Sequence, residues 1–143
     1  MIGHLGLNVP DLPAAVAYYD RILPLLDFET YFGDATQHAY RPADGKRGTF
    51  LFLYQSAEST EPPAESTTAA TGFSRHRTGL QHLAFMARTR GRVREVAALA
   101  SALGSEIVHA PREFPEYPPP YYATFWTDPH GFLLEAVCHH DRE

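Results

Sequence analysis

At 143 residues the chain is long enough for one domain with a sizeable core, and its 44% hydrophobic and 20% charged residues place it outside the disordered and membrane classes. A net charge of -5 argues against nucleic acid as the main partner, since phosphate binding needs clustered Lys and Arg. The lone Cys138 leaves no internal disulfide, no apolar run is long enough for a membrane span, and Met1 and Ile2 lead into a strand rather than a signal peptide, so a soluble cytoplasmic protein is expected.

In chain order, Ile2-Gly3-His4-Leu5-Gly6-Leu7 alternates like a half-buried strand with a histidine in its middle. Asp11 is a good helix N-cap, and the stripe Leu12, Val16, Tyr19, Leu23 and Leu26 predicts a helix over 12–26. Pro13 is tolerated in the first turn, whereas Pro24 predicts a break near residues 22–24. Strands are expected at 28–32, 37–41 and 49–55, with turns at Gly33-Asp34 and Asp44-Gly45. Residues 56–78 show no hydrophobic period before Phe73 and read as a mobile connection. The run Leu80-Gln81-His82-Leu83-Ala84-Phe85 then repeats the opening pattern. Thr89 is the next N-cap, Val93, Val96, Ala97, Ala100 and Leu103 stripe a helix over 90–103, and Gly104 is a suitable stop. Further strands are expected at 106–109, 121–127 and 132–138. Five prolines stiffen 110–120, a segment placed to wall a pocket, and Asp128-Pro129-His130-Gly131 reads as a tight hairpin turn.

Shifted by 78 residues the halves superimpose: His4 falls on His82, Leu5 on Leu83, Leu7 on Phe85 and Asp11 on Thr89. The expected organisation is a single domain, 1–143, of two βαβββ modules at 1–55 and 79–139. Glu135, flanked by Leu133, Leu134, Ala136 and Val137, is costly to bury without a partner; the bland explanation is a salt bridge to an Arg. His4, His82 and Glu135 together match what a divalent metal with open positions wants from protein ligands. The other histidines read as background: His76, His130, His139 and His140 lie in turns or the tail, and His38 is on a strand. A four-residue turn at 128–131 predicts Thr124 opposite Glu135, with Tyr122 and Trp126 on the face of Glu135. Phe50, Phe52 and Tyr54 share one face of their own strand. These five rings either fill a barrel core or wall a substrate pocket for an aromatic or apolar molecule. In the second case Tyr122 or Tyr54 is the hydrogen-bond donor, and Glu135 and Tyr122 are the catalytic candidates.

Paired βαβββ modules, a His near the start of each, and the ending Asp128-Pro129-His130-Gly131-Phe132-Leu133-Leu134-Glu135 resemble the vicinal oxygen chelate superfamily. That group includes glyoxalase I, extradiol dioxygenases, fosfomycin-resistance transferases, methylmalonyl-CoA epimerase and bleomycin-resistance proteins. The resemblance implies an α+β fold in which two βαβββ modules form an open eight-stranded mixed barrel-like sheet. It implies one divalent metal ion (Zn, Ni, Mn or Fe(II)) inside, on His4, His82 and Glu135. Phe52 stands where glyoxalase I carries a fourth ligand, and Phe125 where extradiol dioxygenases carry a Tyr, so a three-ligand site is expected. The implied activity is that of a metal-binding lyase or isomerase, transferase or dioxygenase, acting on a small aromatic or apolar molecule whose oxygen atoms bind the metal. The alternative is a bleomycin-resistance-type protein that sequesters a drug or natural product without catalysis. A homodimer is implied, with exchange of halves permitted by the long connection.

Overall fold

The computed structural model describes residues 2–57 and 73–143. The expected mobile connection at 56–78 therefore falls mostly on residues outside the described ones. Strand β1 (His4–Val9) leads into helix α1 (Leu12–Ile22), a 3-10 turn (Leu23–Leu26), β2 (Phe28–Gly33), β3 (Gln37–Pro42), a second 3-10 turn (Ala43–Gly45) and β4 (Phe50–Gln55). The second module repeats the order with β5 (Leu83–Met86), α2 (Arg90–Ala102), β6 (Ile107–Glu113), β7 (Tyr122–Thr127) and β8 (Leu133–Cys138). Both caps act as the sequence predicts. Asp11 Oδ1 accepts from the Ala14 amide at 2.9 Å and Thr89 Oγ1 from the Arg92 amide at 3.0 Å. Pro24 denies the helix an amide, so α1 ends at Ile22 and the chain tightens into the 3-10 turn, closed by Asp27 in the left-handed region.

Each module folds into a four-stranded mixed sheet, in the orders β1-β4-β3-β2 and β5-β8-β7-β6. β1 pairs parallel with β4 and β5 with β8; the remaining pairs are antiparallel. Among the described residues no strand joins one sheet to the other, so the arrangement is α+β, barrel-like and open. One core of apolar side chains from both halves packs the helices against one face of each sheet, with Val9, Ile22, Leu53, Val96, Trp126 and Leu134 fully buried. Polar bonds cross between the halves inside it. Trp126 Nε1 donates to Tyr18 Oη at 2.9 Å, and Tyr19 Oη donates to Asp128 Oδ2 at 2.8 Å.

Two details differ from the sequence reading and a third adds to it. β6 runs on through Pro111 to Glu113, which a central strand does not allow. β6 is an edge strand, and its pairing with β7 slips near Pro111, so no ladder hydrogen bond is missed. The β7–β8 turn has five residues rather than four. Asp128 Oδ1 accepts from the amides of His130 (2.9 Å) and Phe132 (2.8 Å), the Asp128 amide donates to the Phe132 carbonyl, and Gly131 takes a left-handed φ of 90°. Finally, Gln55 spans the β1–α1 corner. Its Oε1 accepts from the Leu12 amide, one of the unpaired donors of the helix start, and its Nε2 donates to the Pro10 carbonyl.

Candidate functional site

The extra turn residue resets the second sheet. Phe125 lies opposite Glu135 and Thr124 opposite Ala136. Because side chains alternate, a one-residue slip turns every β7 side chain to the other face. Tyr122 and Trp126 therefore point away from Glu135, and their expected place in the site is corrected. Trp126 is buried in the core shared by the two halves. Tyr122 lies under α2, with the guanidinium groups of Arg90 and Arg94 5.2 and 5.9 Å from its ring centre. The face of Glu135 belongs instead to Phe125, Ala123 and the residue just ahead of β7, Tyr121. Signals for this register were present in the sequence: an Asp able to cap its own turn and a Gly three residues later.

Glu135 is completely buried. Tyr121 Oη donates to its Oε1 at 2.6 Å, a short charge-assisted bond. Burial first, and the neighbouring carboxylate second, push the Tyr121 hydroxyl well above the usual tyrosine range, so it stays a donor at neutral pH. His82 Nε2 stands 3.2 Å from Oε2, but without hydrogen-bond geometry, which leaves Oε2 with no hydrogen-bond partner. On its other side, His82 Nδ1 bonds to Gln81 Oε1. An amide oxygen only accepts, so Nδ1 is the donor in this bond, and Nε2 is the ring nitrogen that faces the carboxylate. A nitrogen and an oxygen donor, each oriented by a further hydrogen bond, thus stand side by side at this point of the second sheet.

His4 is not part of this pair. It sits on β1 of the first sheet, with its ring 5.5 Å from that of Phe52. Among the described residues no three His, Cys, Asp or Glu side chains gather as a metal requires. Phe50, Phe52 and Tyr54 line up with His4 and Gly6 on the open face of the first sheet, with Phe52 and Tyr54 stacked at 6.0 Å. Phe52 does hold the position equivalent to Glu135: Gly6 pairs with Phe52 as Ala84 pairs with Glu135. His38, by contrast, packs beside Tyr40 near α1 and lies off this face.

A cavity of about 520 Å³ opens onto Glu135 and His82. The proline-rich segment does wall it, through Phe114 and Tyr117, and Phe125 and His109 supply further rings. The Phe114 amide bonds to the Tyr121 carbonyl at 3.0 Å, which closes the segment over the sheet. Arg75, His76 and Arg112 complete the rim. No local pattern marks Tyr121, Gln81 or the two arginines as site residues, because their placement follows from the register and the loop path. A second, apolar cleft of about 340 Å³ between the β1 and β5 edges contains no titratable group, so it offers no chemistry.

Residues 1–136 match the family model of the Glyoxalase/Bleomycin resistance protein/Dioxygenase superfamily. The chain is similar to a provisionally assigned glyoxalase of Bacillus halodurans, with 31% identity, 96% of this chain and 95% of that one covered, and a TM-score of 0.73. Its fold is also that of lactoylglutathione lyase from Agrobacterium tumefaciens, at 23% identity, 96% and 92% coverage and a TM-score of 0.62. An uncharacterised protein of Pseudomonas aeruginosa is 29% identical over 132 residues, which span 92% of this chain and 84% of that protein.

Proposed function

The chain belongs to the Glyoxalase/Bleomycin resistance protein/Dioxygenase superfamily, and within it we propose a divalent-metal-dependent enzyme that acts on a small, ring-bearing or apolar molecule through its oxygen atoms. The observation that carries this reading is the buried Glu135 Oε2, which has no hydrogen-bond partner and faces His82 Nε2 at 3.2 Å. A metal bound there supplies Lewis-acid stabilisation of an oxyanion as charge develops on the substrate. The chain's own residues do the rest. Glu135 and His82 hold the ion, Tyr121 fixes the carboxylate through Oε1, and Gln81 fixes the imidazole tautomer. Phe114 and Phe125 exclude water from the buried carboxylate.

Within one chain His4 does not gather with this pair. The reading therefore takes the third ligand from His4 of the partner subunit in a homodimer, whose first sheet lies over the second sheet of its mate. In support, that first sheet exposes a row of rings, with Tyr31 49%, Phe32 39% and Tyr54 36% exposed. Metal analysis of purified protein is the test, and a mixing experiment locates His4. His4→Ala and Glu135→Gln each lose the ion as separate homodimers; remixed, they regain it only if one site draws on two chains. Loss without regain places His4 in the site of its own chain, an ion retained by His4→Ala places His4 outside the site, and no ion in the native protein sinks the enzyme. The stacked Phe52–Tyr54 pair on an open face favours the second reading, a protein that sequesters a flat molecule without metal; an ion-free native protein supports it.

A further inference from the structure

We propose that the cavity beside Glu135 takes a flat ring bearing a carboxylate, with the ring among the aromatic walls and the carboxylate on Arg75 and Arg112. The inference deepens the enzyme reading and rests on it for where the chemistry occurs. It is carried by two features of the cavity that metal binding does not use.

The first is the wall. Phe114 sits at the centre of a set of edge-to-face and tilted rings, 5.4 Å from Phe125, 5.8 Å from His109 and 6.1 Å from Tyr121. Tyr117 stacks on it at 6.2 Å and lies 4.8 Å from Tyr121. Such a surface presents ring edges and faces at angles that accept another flat ring, and the cavity volume suits a small ligand.

The second is charge. The chain is acidic overall, yet two guanidinium groups line this cavity. Five other arginines are closed into ion pairs: Arg41 with Glu29, Arg88 with Asp27, Arg90 with Asp141 and Glu113, Arg92 with Glu95, and Arg94 with Glu143. Arg75, half-buried, has no ion-pair or hydrogen-bond partner among the described residues. Arg112 lies over Phe114, its guanidinium carbon 3.8 Å from the ring centre, and one of its nitrogens donates to the Glu113 carbonyl. Its acidic neighbour Glu116 is 3.8 Å away and about half exposed, which makes a weak competitor. A guanidinium held over a ring with donors to spare is suited to bind a carboxylate by two parallel hydrogen bonds. Glu135, at the other end, repels a carboxylate. The molecule therefore enters with its anion on the arginines and its remaining oxygen atoms toward His82 and Glu135.

The test is calorimetric titration of the full chain with 2-naphthoate and with 2-naphthamide, its neutral analogue, before and after metal removal by EDTA. Naphthoate should bind about tenfold tighter with or without metal, and an Arg75→Gln/Arg112→Gln double variant should bring the two ligands within about twofold. Both arginines lie at the cavity rim, so the variant should keep the native Tm. Equal affinities, no binding of either probe, or a preference that survives in the double variant overturns the proposal. So does a preference that EDTA abolishes, since the carboxylate is then on the metal. Failure of the enzyme reading is seen separately: protein that carries no ion but still prefers naphthoate through the arginines loses the metal chemistry and keeps this site.

Discussion

Phe52 and Glu135 occupy one place in two copies of the same module, and their surroundings explain why one is a ring and the other a carboxylate. Both lie in a strand paired parallel to a first strand, across from the second residue after its histidine. β4 alternates between buried and partly exposed positions, whereas β8 is buried along its whole length. The cover comes from β6 and the segment after it. That strand is seven residues long and continues into Phe114, Tyr117 and Tyr121, which fold over β7 and β8. The β2–β3 hairpin of the first module has no such extension, so its rings face outward. A carboxylate on an open face is hydrated and unremarkable. Under a cover of rings it is costly, and a cation or a strong donor has to compensate. The two halves therefore share a backbone and divide the work: one holds the buried polar pair, the other an open aromatic surface.

The largest expected effect tests which face of β7 is which. Trp126→Ala, in the shared core, should cost about 3–5 kcal/mol in denaturant unfolding, whereas Tyr122→Ala, under two arginines, should cost about 1 kcal/mol. Neither should change naphthoate affinity; a large loss for either would restore it to the pocket. Next, Tyr121→Phe removes the hydroxyl from Glu135 Oε1 and should weaken metal binding by about 10–100-fold, read by chelator competition, with the fold intact. An unchanged affinity would make Tyr121 a packing residue only. Phe52→Glu makes the two modules alike. If the first sheet covers the mate's site, it should tighten metal binding by about tenfold through an added anionic ligand. Unaltered binding with intact dimers would show that position 52 does not face the ion.

The repeat made most of the fold legible. Caps, helix stripes and the Pro24 break are local features, and each element formed within a residue or two of its expected bounds, except β5, which begins three residues late at Leu83, and β6. There an edge position rescued a proline that a central strand would reject. The site was legible only in part. The pairing of His82 with Glu135 lay within the expected ligand set, with His82 just ahead of β5 and Glu135 on its parallel partner β8. The neighbours of Glu135 could not, since one additional residue in the Asp128 turn exchanged Tyr122 and Trp126 for Tyr121 and Phe125. The relation of His4 to that pair depends on how whole sheets are placed, about which a strand pattern says nothing.

That same turn provides the smallest effect and a check on its geometry. Asp128 is 5% exposed and accepts from the Tyr19 hydroxyl and two loop amides. Burial raises its carboxyl above the ordinary aspartate range, and the hydrogen bonds from Tyr19, Phe132 and His130 pull it back only in part. A carboxyl that binds its proton more readily folded than unfolded makes folding favour the protonated form. Its ionised form therefore costs stability at neutral pH, and that cost is relieved as the pH falls through the folded-state value toward the unfolded one. Asp128→Asn keeps an oxygen for the loop amides and cannot titrate. The stability of the native chain relative to this variant should therefore improve on acidification from about pH 7 toward about pH 4, read by urea unfolding at each pH. Every other carboxylate is common to both proteins and cancels in the difference. A change of the opposite sign would mean that the three hydrogen bonds outweigh burial, and that the turn holding Glu135 in register is stabilised by the charge itself.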